Sequence, residues 1–291
     1  MSNVVSLRVR QFVNDVTETK DVTAVGASES NTVLQVNEED LSTHLTLQCS
    51  GQVILDLQGH TLSGTVTLVG STAGDASVLV RGGTIRGRVV LGSASAQLTD
   101  VVCQNVCVIG SVKVRATGKA LFDAIAISNP NNAKALDVEA EDRVVAHAIN
   151  VKDVWLADTP SPQQAMVLRS QAAIEARAIR MQNIYSFAEK LQVLVLDGRE
   201  VRAANIDISE ASAPRGVVEG VRPTATAAGG PVLADIRVQA HSGGEAAQLT
   251  LPTPEGLMVT ATSGQGVTRP VVADSARTHG AMATVVRPEH E

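Results

Sequence analysis

The sequence predicts an all-β chain wound into stacked coils, and three observations carry that prediction. The first is an internal echo. Ala148-Ile149-Asn150-Val151-Lys152-Asp153-Val154 reappears thirty residues later as Ala178-Ile179-Arg180-Met181-Gln182-Asn183-Ile184. The pattern returns more loosely at Ile206/Ile208 and Ile236/Val238, at steps of 27 and 30 residues. An echo of that period, with strands inside it, marks one supersecondary unit stacked on copies of itself. The second is alternation closed by glycine: Val53, Leu55 and Leu57 share one face, and Gly59 and Gly64 permit sharp corners around Thr61-Leu62. The third is composition. The 291 residues are 44% hydrophobic but only 2% aromatic, so the core is built from Val, Ile, Leu and Ala. Such side chains fill a narrow interior in layers, each stacking on its counterpart in the next coil. Ile149, Val151, Ile179, Met181, Ile206, Ile208, Ile236 and Val238 are therefore expected to point inward in register.

Taken in order, residues 1–31 hold a short apolar run and a polar segment, and are expected to form an N-terminal arm or cap. A stack of coils exposes an edge at each end that must be covered. The coils themselves are expected over 32–242. They begin at Val33-Leu34-Gln35-Val36 and Leu45-Thr46-Leu47 and pass through Val53 to Gly64 and Val78 to Gly87, with Gly82-Gly83 as a corner. Shorter strands follow at Val89, Leu98 and Val106, and coils resume at Val167, Ile174, Val193, Val201 and Val232. Loops are expected around Ser128–Ala133, Ala157–Pro162 and Thr224–Pro231, and one helical turn at Ala188-Glu189-Lys190-Leu191. Asp100, Asn105, Asp153 and Asn183 stand at strand exits, where short polar side chains bond to backbone and Asn tolerates the left-handed conformation. Residues 243–291 are expected to form a C-terminal cap and extended tail. With strands about 4.8 Å apart, roughly eight coils make a prism some 40 Å long.

Leu55-Asp56-Leu57-Gln58-Gly59-His60-Thr61-Leu62-Ser63-Gly64 and Gly83-Thr84-Ile85-Arg86-Gly87 resemble the coils of right-handed parallel β-helix proteins, the pectate-lyase-like superfamily. The likeness runs from about residue 32 to 240. It implies a right-handed parallel β-helix (solenoid) with a C-terminal β-rich cap or tail. Activity does not follow, because this architecture serves lyases, hydrolases, phage spikes and inert structural parts alike.

A formal net charge of −6 argues against nucleic acid as a partner, since phosphates demand a concentrated basic surface. No apolar run reaches the length of about 18 residues that a spanning helix requires, so no membrane partner is expected. Cys49, Cys103 and Cys107 are odd in number and lack a Cys-x-x-Cys, and are read as reduced, mostly buried thiols of a chain made in a cytoplasm. No metal and no cofactor are implied.

If the chain cleaved glycans, the outward candidates would be Asp56, His60, Arg81, Arg86 and Arg88 on early coils and Asp153, Asp158, Arg177 and Arg180 on later ones. They are scattered, and no paired carboxylates or His–carboxylate pair falls inside one coil. Asp137, Glu139 and Glu141 alternate onto one outward face, read as solvated rather than as a calcium site. Sugar rings are covered by Trp and Tyr, which this chain nearly lacks. Trp155 and Tyr185, thirty apart, fall at matching sites of adjacent coils, either as a two-ring ligand platform or, the reading adopted, as a patch buried under a loop or partner. Arg277, His279, Arg287 and His290 mark the tail as an assembly element. The function expected is therefore structural and non-enzymatic: a virus (phage) capsid decoration or cement protein, or a tail spike component. Its expected form is a homotrimer, a stoichiometry drawn from the phage resemblance, located in the virion and contacting the major capsid protein or other virion proteins. The alternatives are a β-helix polysaccharide lyase or glycoside hydrolase, and a glycan-binding adhesin.

Overall fold

The computed structural model describes residues 32–36, 39–71, 75–129, 133–157, 161–216, 218–227 and 231–238 in full. It also gives the backbone at residue 217 and along strands 7–13, 16–22, 25–27, 239–242, 258–262 and 282–286. The chain forms a parallel β-solenoid of about seven turns. Each turn contributes one strand to each of three faces. The first face runs through Thr32–Gln35, Gly51–Asp56 and the opening halves of Ala76–Arg86, Asp100–Ile109, Lys119–Ser128 and Arg143–Leu156. The second uses Asp40–Ser42, Thr61–Ser63 and the closing halves of those long strands. The third stacks Leu45–Cys49, Val66–Gly70, Val89–Leu91, Val112–Ala116 and Leu136–Ala140. The strands Gln163–Ser186 and Lys190–Ala213 are long enough to run through all three faces, third face first.

The long strands bend without interrupting the ladder because single residues take the left-handed conformation where first face meets second. Gly82, Asn105, Ala124, Ala148, Ala178, Asn205 and Asp235 occupy that corner in successive coils, with φ between 50° and 70°. Such a residue puts two outward positions side by side, so burial reads in-out-out-in across the corner, as at Cys103-Gln104-Asn105-Val106. Asn105 thus takes the conformation its side chain suggested. Three alanines do so as well, although they gain no side-chain bond from it.

The second corner of the early coils is glycine-specific. Gly64, Gly87 and Gly110 lie at φ 152°, 151° and 152°, one above another. A Cβ on Gly87 would stand 2.1 Å from the Gly64 carbonyl oxygen, and one on Gly110 would stand 2.0 Å from that of Gly87. Their N–H groups continue the ladder, Gly64 donating to Arg86 O at 2.8 Å and Gly87 to Ile109 O at 2.9 Å. Gly82-Gly83 forms the corner the sequence suggested, Gly82 at φ 70°.

The core follows the predicted register. Ile149 pairs with Ile179, Ile179 with Ile206 and Ile206 with Ile236; Val151, Met181, Ile208 and Val238 form the parallel row. All eight are buried, as are Val53, Leu55 and Leu57. Phe122 is the one aromatic side chain in the buried core of the described residues. Cys49 and Cys103 belong to this interior and Cys107 is half-buried. Burial pushes the Cys103 thiol up to about 12, and it does the same for Cys49, partly opposed by a backbone hydrogen bond with Val69.

At the N-terminal end the backbone of Leu7–Val13 pairs antiparallel with Val16–Val22 and with Thr32–Gln35, occupying the free edge of the first coil. Near the C-terminus, Met258–Thr262 and Met282–Val286 pair in parallel. Among the described residues the expected helical turn at Ala188 is absent. Ala188-Glu189 is a bend, fixed by the Ala188 N–H donating to Ser186 Oγ at 3.1 Å. A serine that bonds the backbone two residues on competes with helix. No helix of the described residues is long and apolar enough to cross a membrane.

Candidate functional site

A second set of left-handed residues appears only in the later coils, at Asp153, Asn183 and Glu210, with φ 53°, 56° and 55°. The side chains of the first two are joined, Asn183 Nδ2 donating to Asp153 Oδ1 at 2.8 Å. Here the two polar side chains bond to each other across neighbouring coils. Asp100 differs: it stands at a strand start, where its carboxylate accepts the Lys119 N–H at 2.7 Å. After the corner, Val154 and Ile184 turn inward and are fully buried. Trp155 and Tyr185, one residue on, are paired in register and face out.

Their rings lie 5.3 Å apart, tilted by 41°. Phe187 extends the row, meeting Tyr185 edge-on at 4.8 Å, and the Arg215 guanidinium stands 5.1 Å from the Phe187 ring centre. On the described chain Trp155 is 48% and Phe187 38% exposed. Trp155 and Tyr185 each sit two residues after a left-handed corner, an outward position, and no described loop covers them. Beside the rings, on the same coils, stand the exposed side chains of Lys152 and Gln182, with Gln182 Nε2 donating to Glu210 Oε2 at 3.3 Å. Ser212 continues the register of Tyr185.

Along the corner between first and second faces runs an open groove of about 600 Å³, lined by Ala148, Asn150, Ala178, Arg180, Asp207 and Arg237 among others. On its first-face side His147 Nδ1 lies 2.8 Å from Asp123 Oδ1, both side chains 56% exposed. Arg177 follows His147 in register, and Arg180 reaches Asp207 at 3.9 Å across the second face. No His–carboxylate pair is visible inside one coil because Asp123 and His147 belong to neighbouring coils; the parallel register joins them. A pair this open to water is a weak interaction.

Asp56, Asp137 and Glu139 are paired with basic side chains. Asp56 Oδ2 accepts from Arg81 at 2.7 Å, bracing two coils. His60 sits at the first corner, its own N–H donating to Leu57 O at 2.8 Å. Arg86 and Arg88 are exposed on the following coil. Asp137, Glu139 and Glu141 face outward, the last two exposed, and the first two also join an ion-pair network. Arg115 reaches Asp137 at 3.3 Å and Glu139 at 3.2 Å, with Lys134 and Arg169 adding contacts to Asp137 at 3.8 and 3.6 Å. Desolvation lowers the Lys134 pKa, opposed by the charge of Asp137. Among the described residues no group of three or more His, Cys, Asp or Glu is placed to hold a metal. Asp158, Arg277, His279, Arg287 and His290 lie outside the described residues.

No known protein family, curated protein or solved structure matches this chain. Of the resemblance drawn from the Leu55–Gly64 and Gly83–Gly87 segments, the structure shows the parallel β-solenoid.

Proposed function

We propose that the chain is a non-catalytic structural protein of a virus particle, a rigid strut that decorates the capsid or forms part of a tail spike. One observation supports this reading above others. The carboxylates that a sugar-cleaving solenoid would deploy are instead used to tie coil to coil, as in Asp56–Arg81, Asp137–Arg115 and Asp153–Asn183. Charges spent this way stiffen a stack and are not themselves poised over a substrate. The homotrimer, the major capsid protein as partner and the virion as location extend the same proposal.

Labelling intact particles with an antibody to the chain, and sizing the purified protein by light scattering, tests it directly. Surface labelling and a trimer mass are expected; unlabelled particles overturn the particle reading, and a micromolar monomer removes the trimer unless the particle surface templates assembly.

A lyase or hydrolase is the second reading, supported by the Asp123–His147 pair beside the corner groove. Polysaccharide cleavage assays with and without calcium are expected to show no turnover. Turnover lost in His147→Ala, Asp56→Ala or His60→Ala would replace the structural proposal with the enzymatic one.

A further inference from the structure

We infer that the Trp155–Tyr185–Phe187 strip is a binding platform for a neutral, linear glycan lying along the solenoid axis. The chain has one Trp, one Tyr and three Phe, and it places three of these five rings in one surface cluster, Trp155 and Phe187 exposed and Tyr185 half-buried between them. The core gains nothing from them: its layers are aliphatic, with Phe122 the exception among described residues. Aromatic rings held on the surface by a scaffold that otherwise avoids them need an occupant.

The surroundings of the row select which occupant. A protein interface needs roughly 800 Å² per partner around an apolar centre. Three rings make a far smaller patch, and polar side chains border it: Lys152, Gln182 and Ser212, with the joined pairs Asp153–Asn183 and Gln182–Glu210. An apolar face rimmed by fixed donors and acceptors is the complement of a pyranose, whose C–H face stacks on a ring while its hydroxyls reach outward. Rim charges of both signs, Lys152 and Arg215 against Asp153 and Glu210, oppose a polyanion as well as a polycation. Trp155 and Tyr185 come from successive coils and so repeat along the axis, as a linear polymer does, while Phe187 widens the platform beside Tyr185 on the same coil.

Trp155 is the sole tryptophan, so selectively excited fluorescence reports on this row alone. The full chain is titrated with cellohexaose, chitohexaose, xylohexaose, mannohexaose and maltohexaose, following emission and acrylamide quenching. At least one sugar is expected to shift emission to the blue and to shield Trp155. Tyr185→Ala should weaken that sugar by about tenfold or more, a loss of about 1.4 kcal/mol. Tyr185→Phe, which keeps the ring, and Val232→Ala, at an exposed site elsewhere, should bind as the parent does.

Unchanged emission with all five sugars at millimolar concentration overturns the inference. Sugar-free shielding that grows with protein concentration overturns it in favour of a second copy. Shielding at every concentration without sugar does so in favour of cover by the chain itself. The platform stands or falls independently of the particle reading, since neither labelling nor trimer mass enters this titration.

Discussion

Replacing Gly87 with alanine isolates the constraint that stacking places on this backbone. Two effects act there. At φ 151° the residue occupies a region open essentially to glycine, costing about 1–3 kcal/mol for any side chain. In addition, the new Cβ would lie 2.1 Å from Gly64 O and 2.7 Å from Gly64 C. Relief requires the two coils to part by about an ångström, well short of ordinary contact at roughly 3.5 Å between carbon atoms. That displacement stretches the Gly64-to-Arg86 and Gly87-to-Ile109 ladder bonds, worth about 0.5–1.5 kcal/mol each. The sum is about 4 kcal/mol.

Gly59→Ala is the control, because Gly59 has φ 84° with nothing within 4 Å of an added Cβ. There only the left-handed penalty of about 1–2 kcal/mol applies. For a chain of this size roughly 2–4 °C is lost per kcal/mol, so thermal melts followed by far-ultraviolet circular dichroism should fall about 8–16 °C for Gly87→Ala. The control should fall by about 2–8 °C on the same scale. Equal melting points for the two variants would refute the claim that overlap with the preceding coil, rather than conformation alone, reserves this corner for glycine.

Ile179→Asp should lower the melting point severely, by several kcal/mol in stability, because it places a charge between Ile149 and Ile206 in a sealed layer; a parental melt would show the register to be wrong. Ala178→Asn should raise stability by about 0.5–1 kcal/mol, since Asn tolerates the φ of 53° that alanine adopts at a cost, and a urea midpoint shift checks the sign. A thiol reagent at mildly alkaline pH should titrate Cys107 promptly in the folded chain but Cys49 and Cys103 only after unfolding. The two buried thiols also predict an alkaline transition. Their folded pKa, about 12, is raised above the ordinary 9.0, so the stability they confer is complete below pH 9.0 and is lost as pH climbs toward 12. Cys103→Val should flatten that part of the pH–stability curve.

The sequence alone determined the inward rows and their register. Ile149, Ile179, Ile206 and Ile236 recur at the coil period, and one face of each strand is sealed; a slip by one residue would expose the whole row. It also marked Asn105, Asp153 and Asn183 as turn residues, because an amide or carboxylate one carbon from the backbone suits the left-handed corner. It did not reveal that Ala124, Ala148 and Ala178 bend in the same way. Alanine carries no such preference, and the ladders on either side impose the conformation. Nor could local reading find Asp123–His147 or the Arg115–Asp137–Glu139 network, whose members belong to different coils and meet only through parallel register. The aromatic row was half legible. The thirty-residue spacing aligned Trp155 with Tyr185, but the exposure of the row was decided by tertiary structure. The Asp153 and Asn183 corners aim both rings away from the core, and Phe187 and Arg215 join them from segments whose path the alternation of one strand does not specify.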